Sequence, residues 1–284
     1  MNNIKYAVFI LTYGRADKVI TYNNLRKQGY TGKIFLVCSD DDKSINDYKE
    51  KYGEAIVLFN KELAGNKFDI GDNFENKKVV VYARNEVFDI AKNLGYENFI
   101  VMDDDYNSFH FLCNEIGEYE QRKCKNLNNV FSIYFKYFLK TNCLCIAPIQ
   151  GGDLIGGKQN SMFSGGLMKR KVMNVWFLTT KRRFNIVGRI NEDTSSYVLE
   201  GTRGGLFLQV PDFRIDQNTT QSSSGGLTEF YLETGTYQKS FYSVMFSPSC
   251  VKIALMNSTH RRLHHQISWN NTCSKIIREK HKRS

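Results

Sequence analysis

Along the first third of the chain, apolar residues come in short continuous runs separated by segments of helical spacing. Tyr6-Ala7-Val8-Phe9-Ile10-Leu11, Lys33-Ile34-Phe35-Leu36-Val37-Cys38, Ala55-Ile56-Val57-Leu58-Phe59 and Asn98-Phe99-Ile100-Val101-Met102 read as strands buried on both faces. Between them, Lys18 to Lys27 reads as a helix closed by Gly29. A second helix carries Val87, Ile90, Ala91 and Leu94 on one face and stops at Gly95. Buried strands alternating with helices predict an α/β fold, Rossmann-like, with a mostly parallel central sheet flanked by helices.

The pattern loosens after residue 110. Val130, Ile133, Tyr134, Tyr137 and Phe138 mark an amphipathic helix, followed by a short strand at Cys143 to Ala147 and a glycine-rich region from Gln150 to Gly166. Beyond these come an expected strand at Leu206 to Val210, a polar loop from Gln217 to Gly226, a helix near Leu227 to Glu233 and a strand at Phe241 to Phe246. There is no internal repeat and no simple polar linker, so residues 1–284 read as one domain, with a regular half over 1–110 and a loop-rich half over 111–284.

A hydrophobic content of 42% is enough for a substantial core and excludes a disordered chain. No apolar run approaches the roughly 18 residues of a bilayer span, and Met1-Asn2-Asn3-Ile4-Lys5 does not begin a secretion signal, so a soluble, cytoplasmic protein with no membrane partner is expected. The seven cysteines are scattered without a CxxC pair and read as reduced core thiols. Net charge is +10, gathered at Lys169-Arg170-Lys171, Lys181-Arg182-Arg183, Arg261-Arg262 and the tail from Lys275 to Arg283. This fits either a polyanionic partner, nucleic acid first, or a merely basic solvated surface.

The residues with the most chemistry are Asp103-Asp104-Asp105, directly after a buried strand. In extended chain Asp103 and Asp105 point one way and Asp104 the other. A pair of carboxylates at the carboxyl edge of a parallel sheet is a site for a hard cation, Mn²⁺ or Mg²⁺; the alternative is an acidic turn capping backbone N–H groups. Three of the five histidines fall between His260 and His265.

Ala83-Arg84-Asn85 opening a helix, followed by Phe99-Ile100-Val101-Met102-Asp103-Asp104-Asp105, resembles the arrangement of family-2-like GT-A glycosyltransferases, and Phe9 to Arg15 resembles their first strand and turn. Phe68-Asp69-Ile70-Gly71-Asp72-Asn73-Phe74, Gly225-Gly226-Leu227-Thr228 and His264 to Asn270 are similar to the bacteriophage TET-associated glycosyltransferases, implicated in adding sugars to hydroxymethylated pyrimidines of phage DNA. The resemblance implies a GT-A fold, a UDP-sugar donor held by residues 1–110, an acceptor held by 111–284, and work in the host cytoplasm. It implies Asp103 and Asp105 as metal ligands, with Thr12, Tyr13, Arg15, Asp40, Asp72, Arg84, Asn85 and Asp104 around the nucleotide. Asn191-Glu192-Asp193 resembles the late acidic element of these enzymes, which implies Asp193, then Glu192, as the base, an N-capping or surface acid being the alternative. A late histidine often completes their metal site, which implies His264 and His265 as further ligands, phosphate contact being the alternative. Arg84 at a helix N-terminus either donates to phosphate or ribose or pairs with an acidic neighbour. The base-edge contact falls to Asp40 and its neighbours Asp41 and Asp42, to Asp69–Asp72, or to neither, the first group being solvated turn acids otherwise. DNA containing 5-hydroxymethylcytosine or 5-hydroxymethyluracil is the implied acceptor. A glycan, lipopolysaccharide or protein acceptor, and a non-catalytic DNA-binding protein, are the alternatives. Trp176, Phe177 and Trp269 are base-stacking candidates or core.

Overall fold

The structure, a computed structural model, describes residues 4–74, 79–150, 175–217, 238–256, 261–272, 279 and 282. Strands β1 (Tyr6–Leu11), β2 (Ile34–Ser39), β3 (Ile56–Phe59) and β4 (Asn98–Asp103) form on the four apolar runs and pair in parallel in the order β3-β2-β1-β4. Both sides of these strands are apolar because both are covered. Ala7, Phe9 and Leu11 of β1 enter one core cluster, and Val8 and Ile10 enter the other.

The sheet continues through β8 (Trp176–Thr179), β7 (Cys145–Gln150), β9 (Phe207–Gln217), β5 (Tyr106–Cys113) and β6 (Tyr119–Lys123), in that spatial order, to nine strands. β7 and β9 pair in parallel, while β4–β8, β8–β7, β9–β5 and β5–β6 are antiparallel. The α/β class is as expected, with an antiparallel extension beyond the parallel strands. β6 is an edge strand of charged, exposed residues and leaves no apolar signature.

Helices α1 (Ile20–Lys27), α2 (Ile45–Tyr52) and α5 (Leu127–Thr141) cover one face of the sheet, burying Leu25, Tyr48, Phe131, Phe135 and Phe138. Helices α3 (Lys61–Gly65), α4 (Val81–Asn93) and α6 (Glu192–Thr202) contribute Ala64, Val87, Phe88 and Tyr197 to the other cluster. Each fully buried Phe or Leu contributes roughly 1.5–3 kcal/mol. Gly29 ends α1 with φ +84°, and a Cβ there would lie 2.5 Å from the Lys125 carbonyl oxygen, so the crossing of these two segments requires glycine.

One element differs in kind from the sequence reading. Phe241 to Phe246, expected as a strand, belongs to a helix over 238–246, α7. Its buried positions are Ser240, Tyr242 and Ser243, while Phe241 and Met245 are exposed, so serines share the buried side and apolar residues fall on both sides, which hides the helical period. β10 (Val251–Met256) and β11 (Arg262–Ile267) form a separate antiparallel hairpin, and α8 (Trp269–Thr272) follows it. The glycine-rich segment from residue 151, Lys169-Arg170-Lys171, the loop from residue 218, the expected helix at Leu227 to Glu233 and nearly all of the basic tail lie outside the described residues. Among the described residues, no helix is long and apolar enough to cross a membrane.

Candidate active site

Parallel pairing of β1 with β4 sets Leu11 beside Asp103, so the Thr12–Arg15 turn and the aspartate triad adjoin at the carboxyl edge of the sheet. β4 ends at Asp103, and Asp104 and Asp105 form a turn into β5. The alternation of side chains expected for extended backbone therefore stops at Asp103. Thr21, in the first turn of α1, clamps this turn: its hydroxyl donates to the Asp103 carbonyl at 2.7 Å, its N–H donates to the Asp104 carbonyl at 3.1 Å, and its Oγ1 accepts from the Tyr106 N–H at 2.8 Å.

Asp104 is buried and faces the β1 turn. The Thr12 hydroxyl donates to its carboxylate at 2.7 Å, and Thr12 Oγ1 lies 2.8 Å from the Tyr48 hydroxyl, which accepts the Arg15 N–H at 2.9 Å. The Arg15 guanidinium stands 3.5 Å from the same carboxylate. Burial pushes the Asp104 carboxyl up, against Arg15 and Thr12, which favour its ionised form. Asp42, also buried, accepts the Gly14 N–H at 2.7 Å and the Ser44 N–H at 2.8 Å and so fixes the turn, whereas Asp40 accepts from Asn60 and from the Lys61 N–H at the start of α3. Lys61 pairs with Asp41 and lies 4.5 Å over the Tyr13 ring.

Arg84 joins the two acidic elements. Its Nε donates to Glu192 at 2.9 Å and its Nη2 to Asp103 at 2.9 Å, while the guanidinium lies 4.9 Å over the Trp176 ring. The side chain is 4% exposed, and its Nη1 is buried without a hydrogen-bond partner. Arg84 does not stand at a helix N-terminus: α4 begins at Val81 because Val81 and Tyr82 are themselves core residues, and the Arg84 N–H is already bonded to the Val80 carbonyl. Trp176 and Phe177 are core residues, Trp176 forming the floor under Arg84.

Glu192 and Asp193 open α6. Burial raises both carboxyls above their ordinary range; Arg84 opposes the rise in both, Asp103 adds to it in both, and Asp193 adds to it in Glu192. Glu192 is held by Arg84, and Asp193 accepts the Thr194 N–H at 2.6 Å. Asp105 is pushed up to about 7, first by burial and then by its neighbours Asp103 and Asp104.

Asn85 spends its side chain on the Ile186 backbone, donating to the carbonyl at 2.8 Å and accepting the N–H at 3.0 Å. Asp72 makes a two-pronged ion pair with Arg189, 2.7 Å on each prong, and accepts from the Tyr242 hydroxyl of α7. Burial alone lifts the Asp72 carboxyl, but Arg189 and Tyr242 more than offset this and hold it below the usual range. His264 and His265 lie on β11, where His265 Nδ1 is 3.1 Å from the Asn191 amide nitrogen and His264 Nδ1 meets the His265 carbonyl. Among the described residues, no three His, Cys, Asp or Glu side chains converge as a ready-made metal site, so the histidine pair is not brought into one group with the triad. Thr21, Tyr48 and Asn191 hold the site without having been singled out. Their one signal is a polar side chain where the helix pattern or turn calls for burial.

The arrangement is a carboxylate cluster at the edge of an α/β sheet, bridged by one buried arginine to a second acidic pair, which is suited to holding a polar donor beside an acceptor. The chain belongs to the TET-associated glycosyltransferase family, whose sequence model matches residues 6–226. No curated protein matches it. Among solved structures it is similar to the mannosyltransferase PcManGT from Pyrobaculum calidifontis in complex with GDP-Man and Mn²⁺, at 10% identity and TM-score 0.45 over 77% of this chain and 58% of that one. It is also similar to glucosyl-3-phosphoglycerate synthase from Mycobacterium tuberculosis in complex with Mn²⁺, UDP and phosphoglyceric acid, at 10% identity and TM-score 0.48 over 93% of this chain and 87% of that one. S. aureus TarS 1-349 with UDP-GlcNAc aligns at 10% identity and TM-score 0.41, covering 80% of this chain and 64% of that one. The chain thus spans little more than half the length of the mannosyltransferase.

Proposed function

We propose that this enzyme transfers a sugar from a UDP-sugar to the hydroxymethyl group of a modified pyrimidine in DNA, with a divalent cation held by Asp103 and Asp105. The donor set fits such a cation: hard carboxylate oxygens, one of them held near 7 by burial and the crowding of Asp103 and Asp104, a concentration of negative charge that a cation relieves. When bound, Mn²⁺ or Mg²⁺ neutralises charge on the departing diphosphate. Arg84 keeps Asp103 in one orientation, Asp104 and Asp42 fix the Thr12–Arg15 turn against which the nucleotide lies, and Tyr13, with Lys61 beneath it, and Asp40 border the base and ribose. Asp193 accepts the proton of the acceptor hydroxyl, its raised basicity favouring that step, while Glu192 is anchored by Arg84 and positions it. Asn85 and Asp72 act by holding the walls around the donor.

One observation carries this reading: a single buried guanidinium, 2.9 Å from Asp103 and 2.9 Å from Glu192, fixes the donor and acceptor ends of the site relative to each other. The test is to incubate the protein with Mn²⁺, a panel of UDP-sugars, and DNA containing cytosine, 5-hydroxymethylcytosine or 5-hydroxymethyluracil, and to analyse the nucleosides by mass. A sugar adduct on one hydroxymethylated base and none on cytosine is expected. Transfer to a glycan with no nucleoside adduct overturns the acceptor assignment.

A glycan acceptor is the second reading, and one observation favours it. The basic patch at 181–183 is engaged within the protein: Lys181 pairs with Glu97, Arg182 with Asn142 and Arg183 with Asp89. The case for DNA then rests on the net charge of +10 and on the other basic segments.

A further inference from the structure

The family match ends at residue 226, yet the acidic pair at the start of α6 is held from beyond that point. Asn191 precedes Glu192 in the left-handed conformation, φ 54°, a position uncommon for any residue but glycine. Its side chain does not cap its own helix. Instead its amide donates to the Lys239 carbonyl at 2.9 Å, and because a carbonyl only accepts, this contact fixes which end of the amide is nitrogen. The same amide nitrogen stands 3.3 Å from Ser243 Oγ and 3.1 Å from His265 Nδ1, and because an amide N–H only donates, the imidazole accepts at Nδ1. Other contacts run the same way. Ser195 of α6 meets Ser243, and Cys250, Val251 and Ile267 pack into the core cluster of Tyr197 and Val198. A Cβ at Gly201 would stand 2.8 Å from the Thr272 carbonyl, so α8 presses on the far end of the same helix.

We propose that His265 is a positioning residue of the active site: by accepting from Asn191 it holds the left-handed turn that aims Glu192 and Asp193, and residues 238–256 and 261–272 complete the site. The proposal rests on the reading of Asp193 as the base. Its test compares His265→Leu, which removes the acceptor at similar volume, with His265→Asn, whose amide oxygen falls near the Nδ1 position. Three quantities are measured: kcat and donor KM of sugar transfer, Mn²⁺ affinity, and hydrogen exchange of amides 192–196. His265→Leu is expected to lower kcat by about a hundredfold, the scale of an ångström of misplacement. Donor KM and Mn²⁺ affinity stay unchanged and exchange at 192–196 speeds up, while His265→Asn recovers both kcat and protection. Wild-type kcat and exchange in His265→Leu overturn the proposal, as does lost Mn²⁺ binding with unchanged exchange, which assigns the imidazole to the metal. If Asp193→Asn keeps wild-type turnover, the base assignment falls separately, and the exchange comparison still decides whether His265 holds the turn.

Discussion

The two regions that supply acids to this site are built from opposite materials. At the β1–β4 edge the strands are apolar on both sides, and polar groups appear only where the strands end, at Thr12 and Asp103 to Asp105. Around α6 and α7 the buried positions are mixed: Asn191, Thr194, Ser195, Ser196, Ser240 and Ser243 lie beside Tyr197, Val198 and Tyr242. The first region is held by hydrophobic burial and carries its acids on a rigid rim. The second adds to its apolar contacts a set of buried hydrogen bonds of roughly 0.5–1.5 kcal/mol each, so losing any one is felt at the residues it aims.

Arg84→Met breaks the one side chain shared by the two regions and has the largest expected effect. It leaves Glu192 buried and Asp103 half-buried without their cation, and a loss of about 3–5 kcal/mol is expected in urea unfolding. A loss under 1 kcal/mol would mean that the two regions do not depend on each other. Arg189→Met comes next, removing the partner of Asp72 and of the Phe74 carbonyl and so loosening the 69–74 segment, with about 3 kcal/mol expected. Because the folded-state pKa of Asp72 is depressed, its contribution is present above the ordinary carboxylate range and is lost as pH falls through the lower folded value. The acid limb of the stability profile should therefore flatten in Arg189→Met.

Ser243→Ala isolates the polar region. It removes a hydroxyl buried between Asn191 and Ser195, and about 1–2 kcal/mol should be lost, with kcat falling more than donor KM rises. The smallest effect is expected from Lys181→Ala: its bond to Glu97 is solvent-exposed, so stability should change by less than about 1 kcal/mol. If DNA binding also stays unchanged, the 181–183 patch is not its contact.

The same contrast explains what was legible in the sequence. The parallel strands could be read because Phe9, Ile10, Ile100 and Val101 are apolar on both sides, and the triad because three acids follow such a run. α7 reads as a strand because Ser240 and Ser243 share its buried side with Tyr242 while Phe241 and Met245 are exposed, which leaves no helical period of apolar residues. β6 was invisible because an edge strand of exposed charged residues carries no alternation. Arg84 reads from the sequence as a nucleotide-binding residue, with pairing to an acidic neighbour as the alternative; its partner Glu192 is 108 residues away, and only the fold brings them together. Thr21 and Tyr48 look like ordinary helix residues until the chain reversal at Asp104 gives them something to hold.

The central claim is that Asp103 and Asp105 form the cation end of the donor site, and Asp105→Asn tests it through the melting temperature. Without ligand, a carboxyl raised to about 7 binds its proton more tightly folded than unfolded, so it costs stability progressively between about pH 4 and that value. Asp105→Asn should then melt higher than wild type above neutrality, and the gap should close toward the acid end. With Mn²⁺ and UDP at about a hundredfold excess over Kd, wild type should rise by about 5–10 °C and Asp105→Asn should not respond. An equal rise in both proteins would contradict the assignment of the aspartates to the donor site.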